Sequence, residues 1–368
     1  MKPMGKEGRA YARLPMLDAV RKEIETCTFC PKLCRTHCPV SNAEPKETLT
    51  PWGKMASVHM LGSGAVLPHE EQSFAAPAWA CTGCGACKSS CDHKNDVAPT
   101  LGVARAQLFA QGLEPQGARR VANGFSAHDA RVRAAVHSLG VQGDGVRMFL
   151  PGCMYVLRFP QQTNDALTVA QALVPGVSVV PGCCGMPLGM AGDAQAAHAH
   201  VDRLRSEVRG ARELVVGDAG CAVFLRDKLD VPVTTLVQVA YAQLERFASP
   251  AQAQDPVRYH DPCQLSRGLS VYEEPRALLA RVTGARPLEF TKHHEHGACA
   301  GGGGLLPSTM PEVSRGIAQE RVREHEALGG GTVVTACASS LHSLQRAGAH
   351  AVDLASLLAA SLGDPEAP

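Results

Sequence analysis

Neither sign of charge dominates this 368-residue chain: 36 Lys and Arg stand against 35 Asp and Glu, for a formal net charge of +1. That balance excludes the global basic field by which nucleic acid is recruited, so no nucleic-acid partner is expected. Long apolar runs are missing as well. The most apolar stretch, LVPGVSVVPGCCGMPLGMAG at 173–192, is broken by proline and glycine and falls short of a spanning helix. The opening MKPMGKEGRAYARLPMLDAVRKEIE is charged throughout and lacks the apolar centre of an export signal. A cytoplasmic location is expected, with peripheral docking on the inner face of the membrane as the other option. Nicotinamide fingerprint, flavin motif and hydrolytic triad are all absent, which places substrate oxidation on another protein. The chain does have enough apolar material, 45% of its residues, for two or three compact domains.

It also has fifteen cysteines. Without an export signal these read as metal ligands rather than disulfides. Eight form two tetrads, Cys27-x2-Cys30-x3-Cys34-x3-Cys38-Pro39 and Cys81-x2-Cys84-x2-Cys87-x3-Cys91. Such runs suit two 4Fe-4S clusters, because three thiolates of one run take three irons while the fourth reaches across to the other cluster. The competing reading is structural zinc, which also uses Cys-x2-Cys pairs but leaves no role for the third and fourth cysteine of each run. Lys32, Arg35, Lys88 and Lys94 lie in or beside the tetrads. Most such charges are simply surface, and some are expected to raise cluster potentials.

Residues 1–125 read as short helices and loops, a helical ferredoxin. From Val146 the texture changes to alternating strands and helices: VRMFLPGC, a helix around Gln161 to Leu173, VSVVPGCC, a helix around Ala194 to Arg209, ELVVGDAGC, and VPVTTLVQVAYAQL. Alternation of this kind argues for a parallel sheet covered by helices. ASPAQAQDP at 248–256 reads as a connector, and the residues after it repeat the pattern of those before it. Cys153, Cys183 and Cys221 have counterparts in Cys263, Cys299 and Cys337, at offsets of 110, 116 and 116. Each sits at the carboxyl end of an expected strand, where open parallel sheets build their sites. The expected architecture is α/β with an all-helical N-terminal part: a ferredoxin domain (1–125) and two duplicated cysteine-rich halves (146–248 and 256–368, the second degenerate).

Cys153, Cys183-Cys184-Gly185 and Cys221, with 36 residues between Cys184 and Cys221, resemble the cysteine-rich (CCG) domain family. His260-Asp261-Pro262-Cys263, PRALLARVTG and Gly301 to Gly304 after Cys299 match a second copy. With the double tetrad, the layout is similar to the iron-sulfur subunits of glycolate oxidase and anaerobic glycerol-3-phosphate dehydrogenase, to lactate-utilisation proteins and to heterodisulfide reductase. The chain departs from the pattern at Ala300, Phe224 and Ser340, each standing where the family has a cysteine. The resemblance therefore implies one cluster, held mainly by Cys153, Cys183, Cys184 and Cys221, as the economical reading. Cys263, Cys299 and Cys337 form an incomplete second set.

The resemblance further implies an iron-sulfur subunit of an oxidoreductase rather than a stand-alone enzyme. It would carry two 4Fe-4S clusters, with a third centre at the cysteine-rich site as an option. Electrons would pass between a flavoprotein dehydrogenase (2-hydroxy acid or glycerol-3-phosphate type) and a quinone, a membrane redox partner or another carrier. The alternatives are a thiol/disulfide reductase with Cys183 and Cys184 as catalytic candidates, and a non-redox zinc scaffold. Gly301 to Gly304 is expected to be a tight turn admitting close backbone approach rather than a phosphate cradle. Lys292-His293-His294-Glu295-His296 is read as a solvated edge before it is read as a metal site, and Asp218 as a turn former.

Overall fold

The computed structural model describes residue 11 and residues 13–30, 34–141, 143–252 and 254–363. The charged opening residues 1–10 and Lys32 lie outside the described residues. No described helix is long and apolar enough to cross a membrane. The chain is mostly helical with two small parallel sheets, an α/β fold with a helical N-terminal part. It divides into two compact units.

The first unit comprises residues 1–122, 187–194 and 303–314. Its helices begin where capping chemistry allows. Thr50 accepts from the Gly53 amide at 3.0 Å, and Pro51 opens the helix Pro51–Gly62 at a position whose N–H would be unpaired in any case. Ile24, Met55, Val58, Leu61, Trp79, Leu101 and Leu108 form the core. Residues distant in sequence complete it. The Trp79 indole donates to the Ala191 carbonyl at 3.1 Å, and the buried Arg105 donates to the carbonyls of Ala78 (2.8 Å) and Cys81 (3.0 Å). Gly303 and Gly304 press on the carbonyls of Thr82 and Cys81 so closely that any Cβ there would collide. The glycine run is thus the close-approach turn the sequence suggested.

The second unit comprises residues 123–186, 195–302 and 315–368. One sheet has the order β2-β1-β3-β4, from β1 (Arg147–Leu150), β2 (Ser178–Val179), β3 (Glu213–Val216) and β4 (Val233–Thr235), all parallel. The other has the order β5-β6-β7, from β5 (Val257–Tyr259), β6 (Thr332–Thr335) and β7 (Ala351–Asp353), also parallel. The expected helices appear as Pro160–Leu173 and Ala194–Glu207. VSVV shrinks to the two residues of β2, and its counterpart before Cys299 is an isolated bridge between Arg258 and Leu288. A core running through Phe149 and Val215 of the first sheet and Tyr259 and Val334 of the second joins the two into one hydrophobic body.

Strand ends lead directly into helix caps. Asp218, just after β3, accepts from the Gly220 amide (2.9 Å), Thr235 forms a capping box with Gln238, and Asp353 accepts from the Ala355 amide (2.9 Å). Asp218 is thus a capping residue, as its turn reading implied.

Candidate functional site

None of the fifteen cysteines is in a disulfide. The eight of the tetrads line two voids, and the partition is crossed. Cys27, Cys30 and Cys34 surround one void with Cys91; Cys38 surrounds the other with Cys81, Cys84 and Cys87. Each void therefore takes three thiols from one run and one from the other, the arrangement expected for a pair of clusters.

Sulfur spacing separates a cluster from a single ion. Four sulfurs bound to one zinc at about 2.3 Å lie roughly 3.8 Å apart. Among the described residues, no three tetrad sulfurs lie within 4.8 Å of one another. The voids are wider than a lone ion needs, and cluster ligands, each on its own iron, fit them. Burial pushes the thiols of Cys27 and Cys34 up to about 11 and about 12, and that of Cys87 well above the ordinary value. Thiols held this way become thiolates when iron shares their charge.

Two residues that the sequence reading did not single out touch these sulfurs. Lys54, 1% exposed, places its ammonium 3.3 Å from Cys38 Sγ, and among the described residues no carboxylate pairs with it. A cation buried against sulfur requires negative charge there, which a thiolate-ligated cluster supplies. Asn95 donates to Cys27 Sγ at 3.0 Å and to the Glu23 carbonyl at 2.6 Å. The basic residues expected to act on the clusters are engaged elsewhere: Arg35 pairs with Glu47, Lys88 with Asp96, and Lys94 donates to the Ser89 carbonyl. One signal for Lys54 was available, a lone charge inside the otherwise apolar helix PWGKMASVHMLG.

At the cysteine-rich site, Cys153, Cys183, Cys184 and Cys221 come together. Thiol contacts run from Cys153 to Cys183, from Cys183 to Cys184 and from Cys184 to Cys221. Donation from Cys153 and Cys184 holds the Cys183 thiol well below its ordinary value, while Cys153 and Cys184 are raised. The Gly-Cys-Cys-Gly loop is clamped from both sides. Asp129 accepts from the Cys183 amide (2.8 Å) and His200 Nε2 meets the Cys183 carbonyl (2.7 Å). Gly182 and Gly185 both have positive φ, and a Cβ on either would strike these partners, at 2.9 Å from Asp129 Oδ1 and 2.7 Å from His200 Cδ2.

Among the described residues Cys263, Cys299 and Cys337 form no group of three within 4.8 Å, as is also true of the four thiols of the first set taken alone. Cys337 stands at the N-cap position of the helix Ala338–Arg346, and burial pushes its thiol up to about 12. Cys299 Sγ accepts from the Gly301 amide at 3.3 Å. The neighbouring His260 and Asp261 have structural roles. Asp261 is bidentate to Arg276 (both contacts 2.9 Å) deep in the core, and His260 Nδ1 meets Arg321 at 3.3 Å. In the histidine run, His293 and His294 gather with Glu289, but that carboxylate is already bidentate to Arg276 at 2.7 and 2.8 Å, which neutralises it.

Comparison with known proteins agrees with this geometry. The 4Fe-4S dicluster domain matches residues 23–95, and the cysteine-rich domain matches residues 148–226 and again 257–345. The chain is 28% identical over 339 residues to the B subunit of fumarate reductase (CoM/CoB) from Methanothermobacter marburgensis, covering 86% of this chain and 66% of that protein. It is 21% identical over 362 residues to the D subunit of dihydromethanophenazine:CoB–CoM heterodisulfide reductase from Methanosarcina mazei, covering 86% and 87%. A probable iron-sulfur-binding oxidoreductase of Bacillus subtilis is 29% identical over 83 residues, 23% of this chain and 12% of that protein. The crossed tetrads, the clamped cysteine pair and these matches lead to one conclusion: the chain belongs to the family of iron-sulfur proteins that join a 4Fe-4S dicluster domain to cysteine-rich domains.

Proposed function

We propose that this chain is the iron-sulfur electron-transfer subunit of an oxidoreductase complex. In this reading Cys27, Cys30, Cys34 and Cys91 hold one 4Fe-4S cluster and Cys38, Cys81, Cys84 and Cys87 the other. Cys153, Cys183, Cys184 and Cys221 hold a third iron-sulfur centre in the first of two duplicated halves, while the second half is a degenerate copy. Electrons enter from a flavoprotein dehydrogenase of the 2-hydroxy-acid or glycerol-3-phosphate type, pass through the two clusters and leave from the cysteine-rich site to a quinone or other carrier. The observation that carries the reading is the crossed partition of eight thiols around two voids too wide for single ions. Loss of family cysteines at Ala300, Phe224 and Ser340 favours a carrier over a disulfide-cleaving enzyme.

Anaerobic purification from the native host tests it. About eight iron atoms and equivalent sulfide are expected from two clusters, with more from the third centre, together with a co-purifying flavoprotein. Zinc without iron and sulfide would refute the cluster assignment, and failure to recover any redox partner under gentle conditions would refute the relay. A second reading has one observation in its favour: Cys183 lies in contact with the thiols of both Cys153 and Cys184, a set of neighbouring thiols that suits thiol/disulfide chemistry. Turnover of a heterodisulfide with a reduced viologen, abolished by Cys183→Ser, would establish it instead.

A further inference from the structure

We infer that His128 is a nitrogen ligand of the iron centre at the first cysteine-rich copy, alongside Cys153 and Cys183; this rests on the reading of that copy as an iron-sulfur site.

A ring nitrogen of His128 and the sulfurs of Cys153 and Cys183 all lie within 4.8 Å of one another. Donors that share one tetrahedral metal atom lie about this close, whereas tetrad sulfurs, each on a separate iron, spread further. His128 Nε2 is moreover buried without a nitrogen or oxygen partner. The thiol of Cys183 is the partner its ring does have, and a weak thiol contact leaves a buried imidazole nitrogen under-satisfied in a way that a metal bond relieves. His200, the other histidine beside this loop, has no such vacancy. Its Nε2 meets the Cys183 carbonyl and its Nδ1 meets Arg203, each at 2.7 Å.

The helix Gln116–His137 explains how His128 gets there. Phe125, His128, Asp129, Val132 and Val136 recur at helical spacing and share one face. Val132 and Val136 pack with Val156 and Cys153, Phe125 stacks edge-on against His200, and Asp129 takes the Cys183 amide. A residue one turn before Val132 on that face is thereby aimed at the cysteine pair. Asp129 is itself held by Arg133 at 2.8 Å, so the ligand helix and the cysteine loop are registered by a charged hydrogen bond. The match to the cysteine-rich domain begins at residue 148, so this donor comes from outside the recognised domain.

A neutral imidazole in place of an anionic thiolate favours the reduced centre. The first copy would then have a higher potential than an all-thiolate site, and electrons from the tetrads would run toward it.

The experiment compares full-length wild type, His128→Gln, His128→Cys and Cys183→Ser, purified anaerobically, with the EPR signals of the two tetrad clusters as the internal measure of folding. Pulsed EPR on protein with nitrogen-15 histidine is expected to show a directly bound nitrogen in wild type and none in His128→Gln. His128→Cys is expected to regain the centre without the nitrogen coupling and at a lower potential. A third centre that forms in wild type without histidine coupling, or whose coupling survives in His128→Gln, overturns the ligand assignment and leaves the iron-sulfur reading standing. Equal iron and equal spectra in wild type and Cys183→Ser mean that no third centre exists, and overturn both.

Discussion

Replacing Lys54 with methionine should lower the potential of the cluster proposed at Cys38, Cys81, Cys84 and Cys87. The ammonium lies 3.3 Å from Cys38 Sγ, so an iron on that sulfur is within about 6 Å of the charge. At an effective dielectric constant of about 20, a unit charge at that distance is worth roughly 3 kcal/mol to the added electron. For a one-electron couple, where about 59 mV corresponds to a tenfold change, this is about 120 mV. Removing a positive charge disfavours the more negative state, so the shift is downward. Lys54→Gln keeps an N–H donor without the charge and should recover only a small part of it. Potentiometric titration followed by EPR resolves the two clusters, and the one near Asn95 should hardly move. The opposite sign is expected without metal: an unpaired buried cation destabilises the cluster-free fold, so Lys54→Met should make the apoprotein more resistant to urea. A methionine variant with both clusters fully occupied and a potential within about 30 mV of wild type would refute the electrostatic argument.

Two further outcomes concern buried carboxylates. Burial raises Asp353 to about 7, and the Tyr155 hydroxyl donates to it at 2.5 Å. The fold therefore keeps its proton where the unfolded chain has released it, so this group's contribution favours folding at acid pH, is lost as pH rises from about 4 to about 7, and is flat above. The difference amounts to roughly 4 kcal/mol, and urea unfolding at pH 5 and 8 should show a smaller pH effect in Asp353→Asn than in wild type; an equal slope counts against it. Asp261→Asn leaves Glu289 as the one carboxylate on Arg276 and weakens a bidentate contact between side chains that are 1% and 2% exposed, and should destabilise the protein by about 1.5–3 kcal/mol. Glu289→Gln, at a carboxylate 30% exposed, should cost less, and thermal unfolding in which the two variants tie would contradict this account.

The tetrads were legible because ligand chemistry imposes tight local spacing, and even their crossed pairing follows from the geometry of consecutive thiolates. Strands β3, β4 and β6 were legible from their β-branched runs, and β1 from the apolar run RMFL before Pro-Gly-Cys. The run before Cys183 was harder. VSVV has the composition of a strand but yields only two paired residues, because the chain turns early at Pro181 and Gly182 to present the cysteine pair. Lys54, Asn95 and His128 stayed hidden because each is far in sequence from the sulfur it approaches and stands on or beside a helix without a motif of its own. Local charge was misleading in the same way: Arg35 and Lys88 are near the tetrads in sequence, yet surface carboxylates take them first.

The distant segments that close the first unit have a consequence for the timing of biogenesis. Trp79 waits for Ala191, and the Cys81-Thr82 backbone waits for Gly303 and Gly304. A ribosome adding about 5–20 residues per second needs roughly 10–40 s to travel from Ala122 to Ser314, the last residue of that unit. Over that interval the loop carrying Cys81 and Cys84 has been made but lacks its cover. Cluster loading therefore belongs after synthesis, and a fragment cut at the end of the apparent ferredoxin should bind iron loosely and lose it to oxygen or chelators.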